Sequence, residues 1–366
     1  MARVRRAALG MMIVVGTLLA LAQPAAAHSV SGVGATNWRS VLTGVSPQVP
    51  GLEVRLVEGG SRIELTNHGA EVVVAGYSGE PYLRVGPQGV FQNLRSPATY
   101  LNCNRNGCSV PVEADPQAPP EWKRLSSSRT VRWHDHRAHY MGNEPPPDVL
   151  RAPDKVHVEA QWTVKLQQGP TPITVTGNYT WVPSSNPFPW LVVTIVLAMA
   201  VIALGLTGAW GRPLAMAVVA LTLNDIYHAV AIAWFWSGSF VYRLTKLFGG
   251  SFYSIVGWVL GLVAARLLWQ RRVDGLYAAV FAGGSAALFT GLLDFTVLSR
   301  SQAPFAGSIT VDRLTVAISL GVGVGVMVAA LIAIRSTRPA YDDFDDGDFD
   351  LEESRSTAVH DVETAG

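Results

Sequence analysis

Five long apolar segments in the second half of the chain constrain its fold more than any other feature. Each has about the ~20 residues that an α-helix needs to cross a bilayer. Helices satisfy their own backbone polar groups, as lipid requires. We therefore predict an all-α bundle of five transmembrane helices over residues 189–334. The segments run roughly Trp190 to Ala209, Leu214 to Trp236, Phe252 to Trp269, Leu276 to Leu298 and Leu314 to Ile334.

The N-terminus has the pattern of an export signal. Three arginines among the first six residues precede an apolar run over 7–22, and alanines fill positions 25–27. This pattern predicts a secretory signal peptide over residues 1–27, and an uncleaved signal anchor is the alternative. Cleavage after Ala27 would leave His28 as the mature N-terminus, where its amine and its ring could bind one metal ion together.

This leader sets the orientation of the membrane helices. Once it is removed, the first helix runs from outside to inside, and five spans place the C-terminus in the cytoplasm. Arginines in the inner connections agree with the positive-inside tendency. We predict a multi-pass protein of the cell membrane, with its N-terminal domain outside and an acidic, disordered cytoplasmic tail over 335–366. Five spans are few for a solitary transporter, and a homo-oligomer is compatible with this topology.

Residues 28–188 resemble a β domain rather than a helical one. Short runs of alternating apolar and polar residues are separated by glycine-containing turns, which is typical of hairpins. We predict an extracytoplasmic antiparallel β-sandwich. Its expected strands cover residues 53–57, 62–66, 71–74, 156–164 and 173–181. The stretch from 79 to 102, with its glycines and prolines, predicts rigid loops, and 95–129 predicts a long ordered excursion without regular strands.

The only two cysteines lie close together in this outer region. Cys103 and Cys108 flank an Asn-Gly turn. An oxidising compartment favours a disulfide between them, and a thiolate metal site is the alternative.

A cluster of histidines lies in the stretch Trp-His-Asp-His-Arg-Ala-His-Tyr-Met at 133–141. A strand over 130–136 would place His134 and His136 on one face, and His139 and Met141 follow in a loop. Imidazole and thioether groups are ligands for copper. We predict a metal site, most plausibly for a copper ion, formed by these four residues together with His28. A pH-sensing or partner-contact role is the alternative.

Polar residues inside the predicted membrane helices form a second candidate site. Asn224, Asp225 and His228 share one face of the second helix, and Asp294 lies in the outer part of the fourth. Such residues are costly in lipid and commonly functional. Two interpretations stay open: an intramembrane polar site for an ion, a proton or a metal, and a packing network in which Asp225 and His228 bond each other.

Several runs in the chain also carry a resemblance. They are Gly-Glu-Pro-Tyr-Leu-Arg-Val-Gly-Pro at 79–87, Arg-Ser-Pro-Ala-Thr-Tyr-Leu-Asn at 95–102, Pro-Pro-Glu-Trp at 119–122, Trp-His-Asp-His-Arg at 133–137 and Ser-Arg-Ser-Gln-Ala-Pro-Phe at 299–305. They are similar to an uncharacterised family of exported multi-span membrane proteins of high-GC Gram-positive bacteria, which implies architecture and lineage. The Ala-x-Ala-His junction at 25–28 alone resembles exported copper-resistance carriers, whose mature chains begin with a metal-binding histidine.

The functional prediction is an envelope protein whose outer domain binds copper for delivery, resistance or uptake. Its expected partners are the lipid bilayer and other envelope copper-handling or assembly proteins. The alternative is a structural or assembly protein whose outer domain binds a protein or polymer. A net charge of +1 without a basic patch argues against nucleic acid. Because no nucleophile-elbow pattern occurs, we do not expect an enzyme.

Overall fold

The chain divides into a sheet domain and a helical bundle. The computed structural model describes residues 34–104, 106–142, 144–208 and 210–337 of the 366-residue chain. Within them, an antiparallel sheet domain precedes five helices that are long and apolar enough to cross a membrane. This order confirms the predicted architecture of the described part. The predicted signal peptide, His28 and the acidic tail lie outside the described residues.

The sheet domain contains two antiparallel sheets. Its strands are β1 (Trp38–Ser46), β2 (Leu52–Val57), β3 (Arg62–Asn67), β4 (Val72–Ala75), β5 (Pro81–Gly86), β6 (Gly89–Asn93), β7 (Trp122–Ser126), β8 (Thr130–Trp133), β9 (His157–Gln168) and β10 (Thr171–Trp181). Seven strands form one sheet in the order β1-β10-β9-β4-β5-β6-β7, and the order β2-β3-β8 forms the other.

One hydrophobic core joins these two sheets. Alternate side chains point to the same face of a strand, so each sheet offers one apolar face to the core. Leu65 and Trp133 of the smaller sheet belong to the same buried cluster as Val85, Val164 and Val175 of the larger one. The core therefore fixes the register of β8, from which the histidine stretch leaves.

The alternation of residues located five of the strands, but three other predictions were wrong. The loops expected at 79–102 contain the hairpin of β5 and β6. The excursion expected at 95–129 ends in β7, which pairs with β6, although it also contains a short helix. Short strands bounded by glycine and proline look like turns when only local composition is considered. Strand β8 ends at Trp133, three residues earlier than predicted.

The helices number eight in the described residues, besides short 3-10 and π turns. They are α1 (Pro97–Leu101), α2 (Pro147–Arg151), α3 (Phe188–Leu206), α4 (Gly211–Phe235), α5 (Phe240–Gly250), α6 (Phe252–Trp269), α7 (Asp274–Ala286) and α8 (Ile309–Thr337). Helix α7 continues as a π-helix over Ala287–Leu292, and the two together form the fourth candidate span. Helix α5 was not predicted; it is too short to span and exposes Phe240 and Phe248.

Glycines let the membrane helices approach closely. A Cβ atom added to Gly205 of α3 would lie 2.6 Å from the carbonyl oxygen of Ala329 in α8. No side chain fits there without separating the two helices. This agrees with the role of small residues in packing helices within lipid.

The sheet domain contacts one end of the bundle through Asn37, which is almost fully buried. Its carbonyl accepts from the Val182 N–H at 2.8 Å, and its Oδ1 accepts from the Ser301 N–H at 2.9 Å. A second contact joins Glu58 to the end of α4, where the Ser237 N–H donates to Glu58 Oε1 at 3.2 Å. The loop over 299–305 and the end of α4 therefore lie directly under the sheets.

We predict that Gly205→Ala destabilises the bundle by about 1–3 kcal/mol, the usual cost of overpacking. Gly284→Ala is the matched control, because its added Cβ would meet only Met327 Sδ, at 3.7 Å. Thermal unfolding of the full chain in detergent measures both. Equal melting temperatures for the two variants would show that the α3–α8 approach does not need Gly205.

Candidate functional site

A buried ion pair organises the chain where it leaves β8. Asp135 is fully buried and caps the 3-10 helix His136–Ala138 by accepting from the Arg137 N–H. Its two oxygens also accept from Arg137 Nε and Nη2, each at 2.8 Å. The Trp133 indole N–H donates to Asp135 Oδ2 at 2.9 Å. These bonds fix the direction in which the following histidines leave the strand.

The environment favours the ionised form of this aspartate. Burial opposes ionisation, but the bonds from Arg137 and Trp133 outweigh it and hold the pKa of Asp135 below its usual value. Arg137 also donates to the carbonyl oxygens of Ala75 and Gly76 at 3.3 Å, so its charge is well solvated by the protein. Nearby, burial raises the pKa of Tyr77 to about 12, and its hydroxyl remains a donor to Asn102 Oδ1.

Three of the predicted metal ligands come together in this turn. The ring centroids of His134 and His136 are 5.1 Å apart, with the planes almost perpendicular. Those of His134 and His139 are 4.3 Å apart, with the planes only 14° from parallel. Although the predicted strand ended early, the 3-10 turn returns the chain so that all three half-buried rings form one cluster, named here the histidine cluster.

Backbone carbonyls orient two rings of the histidine cluster. His134 Nδ1 lies 2.8 Å from the carbonyl oxygen of Ser61, and His136 Nε2 lies 3.1 Å from that of Asn104. A carbonyl oxygen can only accept, so these two nitrogens carry protons. Asn104 belongs to the small loop closed by Cys103 and Cys108, whose predicted disulfide the structure confirms. The disulfide loop therefore helps to hold His136.

The two remaining predicted ligands are Met141 and His28. Met141 follows the cluster and is 41% exposed, while His28 lies outside the described residues. No group of three or more His, Cys, Asp or Glu side chains in the described part of the chain has an arrangement that could hold a metal ion.

The predicted intramembrane residues are joined to three neighbouring helices. Asn224 of α4 donates to the Thr315 carbonyl at 3.0 Å and to Ser319 Oγ at 2.9 Å, both on α8. Asp225 accepts from the Trp258 indole of α6 at 2.6 Å and from the Thr290 hydroxyl in the π-helix. The hydrogen-bond partners of Asp225 thus lie on other helices, and not on His228.

His228 lies between two carboxylates from different helices. Its Nε2 is 3.1 Å from Asp294 Oδ2, and its Nδ1 is 3.3 Å from Asp312 Oδ1. Asp294 was predicted as part of this site, whereas Asp312 was missed. Asp312 lies in the first turn of α8, just before the apolar segment predicted to begin at Leu314. A carboxylate directly preceding a span was the only signal in the sequence.

Comparison with protein family models, curated proteins and solved structures finds no match. Functional inference therefore rests on the geometry of the described residues.

We predict that Asp135→Asn destabilises the sheet domain by about 3 kcal/mol or more, because it leaves the partly buried Arg137 charge without its counterion. The pH dependence follows from the lowered pKa of Asp135. The ionised Asp135 carboxylate contributes fully to the free energy of unfolding above about pH 4, the usual pKa of a carboxyl group. This contribution is lost as the pH falls through the lower pKa that Asp135 has in the folded protein.

Thermal unfolding of the full chain between neutral and acidic pH measures this effect. The exposed pair of Asp148 and Arg151 provides the control, since Asp148→Asn removes a solvated ion pair of little energetic value. Wild type and Asp148→Asn should lose stability together in acid, and Asp135→Asn should lose less. An identical acid response in Asp135→Asn would contradict the role given to this carboxylate.

Proposed function

We propose that this protein is a multi-pass protein of the cell membrane that binds a copper ion at the histidine cluster. In this proposal residues 28–188 form a β-sandwich exported by the signal peptide, and the acidic tail lies in the cytoplasm. The copper ion is bound for delivery, resistance or uptake. The observation that carries the proposal is the gathering of three imidazole rings, from His134, His136 and His139, at one rim of the sheet domain.

The tautomers of two rings support a ligand role. Because His134 donates through Nδ1, its neutral ring has the lone pair on Nε2, and because His136 donates through Nε2, its lone pair is on Nδ1. Histidines that bind metals almost always donate their other ring N–H to a carbonyl or carboxylate, which fixes both tautomer and orientation. His134 and His136 have this arrangement already.

Copper suits the rest of the ligand set better than zinc does. The thioether of Met141 is a soft ligand that favours Cu(I), and its exposure leaves it accessible. A rotation of the His139 ring out of its stack with His134 would direct a third nitrogen towards the same ion. His28 would complete the site through its amine and ring, provided that cleavage occurs after Ala27.

We predict that the full-length protein with its native N-terminus retains copper in stoichiometric amount, and that replacing His134, His136 and His139 with alanine abolishes this binding. Each lost ligand should weaken binding by at least about tenfold, since even loss of an orienting group costs that much. Elemental analysis and calorimetric titration in detergent measure the effect.

His157→Ala is the matched control for this experiment. His157 also bonds a backbone carbonyl, that of Ala152 at 2.7 Å, but it belongs to β9 and not to the turn that carries the cluster. If the triple variant and His157→Ala retained the same amount of copper, the histidine cluster would be ruled out as the copper site. Such a result would favour the alternative, an envelope assembly protein whose outer domain binds a protein or polymer.

The disulfide loop provides a further prediction. Replacing Cys103 and Cys108 with serine frees the loop that presents the Asn104 carbonyl to His136, so copper affinity should fall by about tenfold without being lost. Calorimetric titration of the double variant measures this. An affinity equal to that of wild type would show that the loop does not orient His136 for binding.

A further inference from the structure

Both ring nitrogens of His228 lie within hydrogen-bond distance of polar side chains from other parts of the helix bundle. The His228 ring is almost completely buried, as is Asp312, whereas the Asp294 side chain is 33% exposed. His228 lies on α4, Asp312 lies on α8, and Asp294 lies between the π-helix that ends α7 and the 3-10 helix that follows it. One ring therefore joins three helices at the end of the bundle beneath the sheet domain.

The hydrogen-bond partners of this ring fit a proton on each nitrogen. The Thr315 hydroxyl lies 2.8 Å from the Asp312 carbonyl oxygen, and when it donates there its own oxygen can accept from His228 Nδ1, which is 2.9 Å away. Nε2 faces the carboxylate Asp294 at 3.1 Å and donates to it. A ring that donates through both nitrogens is an imidazolium. It has no lone pair left for a metal ion.

The surrounding charges are consistent with a positive ring. Three carboxylates face this region, from Asp225 on the same helix, Asp294 and Asp312. Arg313 follows Asp312 in the chain, and its guanidinium donates to the carbonyl oxygens of Val297 and Arg300. An imidazolium is the direct counterion of the Asp294 carboxylate, so loss of the ring charge would leave that carboxylate without its partner in a region of low dielectric.

Asp312 distinguishes this centre from a satisfied packing network. Among the described residues its Oδ1 accepts no hydrogen bond, although it is buried, and its closest cationic partner is His228 Nδ1 at 3.3 Å. Buried polar atoms in packing networks are nearly always hydrogen-bonded. This oxygen therefore depends on the charge of the ring, and its environment changes whenever the ring gains or loses a proton.

We propose that His228, Asp294 and Asp312 form a proton-exchange site within the helix bundle, independent of copper binding in the sheet domain. The Nε2 proton passes to Asp294 Oδ2, and the carboxyl group releases it to water at its exposed side. The electron pair of the broken N–H bond stays on Nε2, which leaves a neutral ring. The reverse transfer reloads the site.

Asp294 is positioned to exchange a proton with water. It is the residue preceding the 3-10 helix Phe295–Leu298, yet its side chain does not cap that helix. It faces His228 instead and is the most exposed member of the three. π-Helical turns such as Ala287–Leu292 occur often at functional sites. A protonated His228 ring would hold α4 against α7 and α8 through its contacts with Asp294 and Asp312. Loss of the ring proton would weaken both contacts together.

The test uses full-length protein in lipid nanodiscs with ¹⁵N-labelled histidine. At neutral pH, ¹⁵N NMR of the wild type should show one histidine with both ring nitrogens protonated, and this signal should be missing from His228→Gln. Exchange of the Nε2 proton with solvent should slow by ~100-fold in Asp294→Asn, the scale of loss when a positioned acid–base group is removed. Asp294→Glu, which retains a carboxyl group, should restore much of the rate.

Asp274→Asn is the control, because Asp274 lies at the far end of α7 in an exposed pair with Arg272; it should leave the signal and its exchange unchanged. A neutral His228 ring in the wild type would overturn the proposal without any variant being needed. Exchange equally fast in wild type and in a folded Asp294→Asn variant would overturn it as well. Neither result would bear on copper binding.

Discussion

Ionised side chains buried away from water must be paired, and both candidate sites depend on this requirement. In the sheet domain, Arg137 neutralises Asp135, and the resulting turn gathers the histidine cluster. In the bundle, His228 lies between Asp294 and Asp312. The two pairings differ in one respect. The arginine keeps its charge at every physiological pH, so the first pairing is permanent, whereas an imidazole can lose its proton and make the second reversible.

A single turn of the chain connects the two sites. The Ser61 carbonyl that orients His134 directly follows the turn Glu58–Gly60. Glu58 accepts from the Ser237 N–H at the end of α4, and burial raises the pKa of this carboxyl. His228 lies two turns further along the same helix, ~10 Å from Phe235 at 1.5 Å per residue.

Sequence patterns predicted those features that depend on neighbours in the chain. Long apolar runs located the five helices that are long and apolar enough to cross a membrane, and alternation located strands such as β9 and β10. Pairings between distant residues were not visible in this way. Asp312 lies 84 residues after His228, and nothing local distinguishes it from a carboxylate at a membrane interface. Likewise β7 is defined by its bonds to β6 and not by its own composition.

The three histidine rings lie together for a different reason from the one that the sequence pattern suggested. Alternation along a strand was expected to place His134 and His136 on one face, but the strand ends at Trp133. The rings converge because the Asp135 side chain caps a 3-10 turn and binds Arg137. A strand would hold the rings at a fixed spacing along an edge. A capped turn instead brings His139 back onto His134, so the geometry of any metal site here depends on the buried ion pair that maintains the turn.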